Sequence, residues 1–64
     1  MPSPIFISLL ENSRLEQQLI NIYITHATLQ GVVSNLYPDV VELRTHDGKR
    51  CVVDLKKIEA IISL

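Results

Sequence analysis

Residues 20–36 read Ile20-Asn21-Ile22-Tyr23-Ile24-Thr25-His26-Ala27-Thr28-Leu29-Gln30-Gly31-Val32-Val33-Ser34-Asn35-Leu36. From Leu19 onward apolar and polar residues alternate with period two: Ile20, Ile22 and Ile24 face one way, Asn21, Tyr23 and Thr25 the other. That is the pattern of a half-buried strand. Thr25-His26-Ala27-Thr28 is a weak turn, without Gly or Asn to take positive φ. Leu29–Leu36 is a second strand, and Gly31 lies inside it. A glycine there marks a bulge, a sharp bend or a close backbone approach, and a small barrel needs such a bend to close.

On the C-terminal side, Tyr37-Pro38-Asp39 interrupts the pattern, because proline donates nothing to a ladder. Val40–Thr45 is a third strand. His46-Asp47-Gly48-Lys49 is the strongest hairpin signal of the chain, since Asp-Gly supplies positive φ. A fourth strand, Arg50–Leu55, places Cys51, Val53 and Leu55 on one face. Lys56-Lys57 makes a short corner, and Ile58–Leu64 a fifth strand.

On the N-terminal side the period is helical. Ser3 is a good N-cap and Pro4 suits the first helical position, where its missing N–H costs nothing. Phe6, Leu9 and Leu10 recur at helical spacing, and Asn12-Ser13 is a plausible stop, so residues 3–14 are expected to be helical. The expected fold is mainly β: a short N-terminal α-helix followed by a five-stranded, strongly bent antiparallel barrel over 19–64. With no repeat, linker or low-complexity stretch, residues 1–64 are expected to form a single domain.

Size and composition then bear on assembly. A chain of 64 residues buries only about 60% of the surface it exposes when unfolded. Small scaffolds usually add disulfides, a metal or partner subunits. Cys51 is the only cysteine, which rules out an internal disulfide and speaks against a cysteine-based zinc site. Ile, Leu and Val supply 23 of the 64 residues and aromatics only three, so some aliphatic surface is expected in subunit interfaces. The net charge of −1 and pI near 6.0 disfavour nucleic-acid binding through overall charge; such binding would need a local patch or a repeated lining. No apolar run approaches the ~18 residues of a membrane helix. No basic stretch precedes the N-terminal apolar one, as a signal peptide would require. With its unpaired cysteine, the chain is expected in the cytoplasm.

Ser3-Pro4-Ile5-Phe6 with Leu9-Leu10, then Ile22-Tyr23-Ile24, Thr28-Leu29-Gln30-Gly31 and Val40-Val41-Glu42-Leu43, resembles the helix and first motif of the Sm-like (LSm) family. Val53-Asp54-Leu55-Lys56-Lys57-Ile58-Glu59-Ala60-Ile61 resembles its second motif, and the pattern is most similar to the bacterial, Hfq-like RNA-chaperone branch. The resemblance implies a homo-oligomeric ring of roughly five to seven subunits, in which the fourth strand of one copy pairs with the fifth of the next. It makes Cys51, Val52, Val53, Leu55, Ile58, Ala60, Ile61 and Ile62 interface residues and Gly31 the barrel bend. It also implies binding of single-stranded, A/U-rich RNA, with Tyr37, Asp39, Lys56 and Lys57 as the candidate contacts.

The family's functional residues are largely replaced. Counting from Gly31, the positions of the Sm Asp and Asn hold Tyr37 and Val41. Where the Hfq-like branch has a glutamine and a stacking aromatic, this chain has Pro38 and Asp39. The branch's Tyr-Lys-His run aligns with Asp54, Leu55 and Lys56, and its Arg-rich rim is reduced to Arg14. A self-assembling scaffold without RNA binding is therefore the rival reading, and a dimeric non-Sm barrel a third.

Each candidate also has a plainer reading. Lys56-Lys57 reads equally as a basic ring lining and as a solvated corner partly neutralised by Glu59. Tyr37 offers a π-face to a base, or closes the barrel end. Tyr23 reads as helix packing before it reads as a platform. Arg44, Lys49 and Arg50 read as exposed hairpin charges. His26 and His46 fall in turns and suggest no metal site, and Cys51 reads as a small buried hydrophobe. No catalytic constellation, phosphate loop or cofactor motif is present, so no enzymatic activity and no cofactor are expected.

Overall fold

The computed structural model describes residues 3–64. Its first element is α1 (Pro4–Glu16), followed by β1 (Ile20–Ile24), β2 (Ala27–Leu36), β3 (Val40–Arg44), β4 (Arg50–Asp54), a 3-10 turn (Leu55–Lys57) and β5 (Ala60–Ser63). The helix starts where expected: the Ser3 hydroxyl accepts the Ile5 N–H at 3.2 Å, with Pro4 in the first turn. It ends two residues later than expected, because Ser13 does not stop it. The Ser13 side chain turns inward instead, donating to the Gln18 carbonyl at 2.6 Å and accepting the Val33 N–H at 3.1 Å. Termination falls to Gln17, which takes the left-handed conformation (φ 55°) and returns its N–H to the Ser13 carbonyl. This is a helix C-cap built without glycine.

Five antiparallel strands follow in the spatial order β4-β3-β2-β1-β5. The long β2 belongs to both halves of the bent sheet. Ala27–Gly31 pair with β1, whereas Val32–Leu36 pair with β3. The β1–β2 turn is tighter than expected, with only Thr25-His26 between the closing pair Ile24 and Ala27, and neither residue has positive φ. At Gly31, a Cβ would lie 2.6 Å from the Arg44 carbonyl oxygen. Close approach of β3 therefore requires glycine there, and φ is not positive. The irregularity in register comes three residues later, between Val33 and Asn35. Ser34 is the extra residue of this bulge, and its hydroxyl donates to the Glu42 carbonyl (3.2 Å) and carboxylate (2.9 Å).

The β3–β4 hairpin also departs from the expected tight turn. Only Gly48 has positive φ (82°). The Gly48 N–H donates to the Thr45 carbonyl and the Thr45 N–H to the Lys49 carbonyl, each at 2.9 Å. This is a three-residue loop with a left-handed glycine at its end. Leu55 leaves β4 for the 3-10 turn, and Ile58 lies in the core before β5 begins.

Leu10, Ile20, Ile22, Val33, Val41, Leu43, Val53, Leu55 and Ile58 form one buried cluster, with Phe6, Ile7, Leu29 and Ile61 packed against it. Each buried aliphatic side chain contributes about 1.5–3 kcal/mol. α1 covers this cluster by packing on β2 and β5. β4 and β5 are the two edges of the sheet and share no ladder. The barrel expected from the sequence is thus an open, strongly bent sheet within the chain.

Candidate functional site

The loop after β2 and the corner after β4 meet beside one another at the edge of the bent sheet. Tyr37 donates its N–H to the Val40 carbonyl at 2.9 Å, tightening the loop around Pro38. The Leu55 N–H then donates to the Asp39 carbonyl at 3.0 Å, tying the loop to the 3-10 turn. The Asp54 carboxylate caps that turn by accepting the Lys56 N–H at 2.9 Å. Tyr37, Asp39, Lys56 and Lys57 are therefore carried on two adjacent backbone segments, and all four are exposed. Tyr37 is 46% exposed, so its ring is partly available to a partner.

Among the described residues, neither lysine enters an ion pair. Glu59, the expected neutraliser, accepts from the Thr25 hydroxyl at 2.9 Å. Two free ammonium groups thus share this corner with the carboxylates of Asp39 and Asp54. Their electrostatic reach in one copy is short, and only repetition would build a strong field.

The second feature is the pair of free edges. In an antiparallel ladder, residues alternate between facing the partner strand and facing away. The Thr45 N–H to Lys49 carbonyl bond sets the phase of β3–β4. The backbone groups of Arg50, Val52 and Asp54 therefore point to the open edge of β4. The Leu64 N–H to Leu19 carbonyl bond (3.1 Å) does the same for β1–β5, leaving those of Ile61 and Ser63 at the open edge of β5. Val52 is 55% exposed and Ile62 46%, so each edge strand also shows an apolar side chain.

Of the eight residues expected at the interface, Val53, Leu55 and Ile58 bury their side chains in the chain's own core. Cys51 and Ile61 are half-buried, and Val52, Ala60 and Ile62 are exposed. The eight residues thus divide between the chain's own core and its open surface.

Sequence reading missed Ser13, whose hydroxyl joins the helix end to β2. It also missed the hydrogen bond that the Gln30 side-chain amide donates to the Asn21 side-chain oxygen (2.9 Å) across the outward face of β1 and β2. A serine in a helix carries no mark of this role, but Asn21 and Gln30 follow from strand alternation once the β1–β2 register is known. Tyr23, half-buried, lies on the same face of β1 as Asn21. Among the described residues, no group of three or more His, Cys, Asp or Glu is placed to hold a metal ion. No helix is long and apolar enough to cross a membrane.

A capping helix, a second strand shared by both halves of a bent five-stranded sheet, and a 3-10 corner before the last strand together define the Sm-like fold. Among solved structures, the chain is similar to the crystal structure of the pleiotropic translational regulator Hfq. The TM-score is 0.79 over 91% of this chain and 97% of that one, at 22% identity. At that identity the likeness is one of fold. No protein-family model and no curated protein matches the chain.

Proposed function

We propose that the chain, as a single Sm-like domain, is the protomer of a homo-oligomeric ring that binds single-stranded RNA in the cytoplasm and catalyses no reaction. The observation that carries this reading is the pair of unpaired strand edges, β4 and β5, at opposite ends of the sheet order. Exposed edges are an aggregation hazard unless covered. β4 of one copy against β5 of the next would cover both, and such a head-to-tail contact closes into a ring when the rotation allows. Roughly five to seven copies are expected by likeness to the Sm-like rings.

The RNA part rests on the corner. A ring would repeat Lys56, Lys57 and Tyr37 in every copy, giving ammonium groups for phosphates and an aromatic face for a base. The fold is shared with a translational regulator, and that likeness supports RNA as the partner. The rival scaffold reading is favoured by the net charge of −1 and by Asp39 and Asp54 beside the lysines.

Two measurements on the full chain test both parts. Mass in solution should be a multiple of the 7.2 kDa protomer, and a monomer at micromolar concentration would remove the ring. The assembled protein should bind oligo-U or oligo-A at low salt and lose affinity as salt rises. An assembled protein that binds neither at low salt would be the scaffold.

A further inference from the structure

A third feature lies apart from the lysine corner and the strand edges. A cleft of about 290 Å³ opens between the helix exit, the bend of β2 and the start of the β3–β4 hairpin, and none of Tyr37, Asp39, Lys56 or Lys57 lines it. That volume lies just below the roughly 300–1,000 Å³ of drug-sized ligand pockets, which suits a single-ring ligand. Leu19, 40% exposed, and Val32 give it apolar wall. Arg44 stands directly opposite Val32 in the β2–β3 register.

Arg44 is without an ion-pair partner among the described residues. The nearest acid on its face of β3, Glu42, is held by the Ser34 hydroxyl at 2.9 Å. Asp47, in the adjoining hairpin, is engaged by Thr45 and by Lys49 (3.7 Å). No aspartate or glutamate lines the cleft, so its one permanent charge is positive.

The two carboxamides narrow the ligand further. Gln17 uses its amide N–H on the Arg14 carbonyl (2.8 Å), and Gln30 uses its own on Asn21 (2.9 Å). Each keeps its side-chain oxygen as an acceptor. The lining thus offers a guanidinium for an anion, aliphatic wall for a flat body and acceptors for a donor group.

We propose that this cleft binds a small aromatic carboxylate carrying an amino or hydroxyl donor. The carboxylate pairs with Arg44, the ring lies on Leu19 and Val32, and the donor meets Gln17 or Gln30. The assignment does not rest on RNA binding.

The probes are para-aminobenzoate and its neutral amide, para-aminobenzamide, titrated into the assembled full chain and followed by backbone amide shifts. The carboxylate should give saturable shifts centred on Leu19, Val32, Arg44 and His46. The neutral amide should bind about tenfold more weakly, as loss of a charge-assisted hydrogen bond implies. Arg44→Gln should bring the two affinities to within about twofold. Leu19→Glu should abolish carboxylate binding by like-charge repulsion, which gives a second, independent variant. Lys56→Ala with Lys57→Ala should leave binding unchanged. The proposal is overturned by the absence of saturable shifts at millimolar carboxylate, by equal affinity for the neutral amide, or by insensitivity to both cleft variants.

Discussion

Ser13 is almost completely buried, and its hydroxyl is both donor to Gln18 and acceptor from Val33. Removing it leaves a buried backbone N–H and a carbonyl without their partner, so Ser13→Ala should destabilise the fold by about 1–3 kcal/mol, measured by urea unfolding of the assembled chain. Gly31 is sensitive for a different reason. Even Gly31→Ala places a Cβ against the Arg44 carbonyl, and Gly31→Val adds β-branched bulk at the same point. Overpacking of this kind costs about 1–3 kcal/mol, and Gly31→Val should be the worse of the two by thermal unfolding, with assembly impaired. Asp47 gives a pH prediction. Its carboxyl is held below the ordinary aspartate value of 3.8, first by the Thr45 hydroxyl bond; desolvation opposes this next, and weaker backbone and Lys49 contacts add to the lowering. A folded value below the unfolded one means that the carboxylate steadies the hairpin above the ordinary value. That contribution disappears as pH falls through the depressed value. An NMR titration should find Asp47 below 3.8, and Thr45→Val should move it back upward.

At the scale of elements, β4 and β5 differ from the three inner strands in having one side of their hydrogen-bonding groups unused. Val52 and Ile62 are the exposed apolar side chains of these edges, whereas Val53 is buried in the core. A lysine on an edge strand discourages pairing without entering the core. If the proposed ring forms through these edges, Val52→Lys or Ile62→Lys should lower the oligomeric mass at micromolar protein while leaving the far-ultraviolet circular dichroism unchanged. Val53→Lys should unfold the chain instead. That contrast separates the edge residues proposed for assembly from those already committed to the protomer's core. The two glycines show how differently one residue type is used: Gly48 supplies positive φ to the hairpin, whereas Gly31 supplies room for β3.

For the whole molecule, the proposed RNA surface exists in strength only through repetition. One protomer offers two lysines beside two carboxylates, and its net charge is −1. If the ring binds single-stranded RNA through this corner, Lys56→Ala with Lys57→Ala should weaken binding and flatten its salt dependence. The slope should fall by about 0.7 for each phosphate that is no longer neutralised. A salt dependence unchanged by the double variant would move the RNA-binding surface elsewhere on the ring.

Much of this architecture follows from local pattern. Alternation in Ile20–Ile24, the Ser3-Pro4 start, the Asp47-Gly48 hairpin and the break at Pro38 each depend on a few neighbouring residues. Helix, strand number and strand order along the chain were therefore legible in the sequence. So were the inward faces of β1 and β4, because alternation assigns them once the strands are placed. What needed the tertiary structure was whatever depends on residues far apart in the chain. Ser13 continues the helix because Val33 lies beside it, Gly31 is required by the Arg44 carbonyl, and Leu55 leaves its strand to meet Asp39. The candidate corner was legible as residue types, but only the Leu55–Asp39 hydrogen bond brings its two halves together. The cleft beside Arg44 was not legible at all, since its walls come from three separate segments and Arg44 alone looks like any exposed hairpin charge.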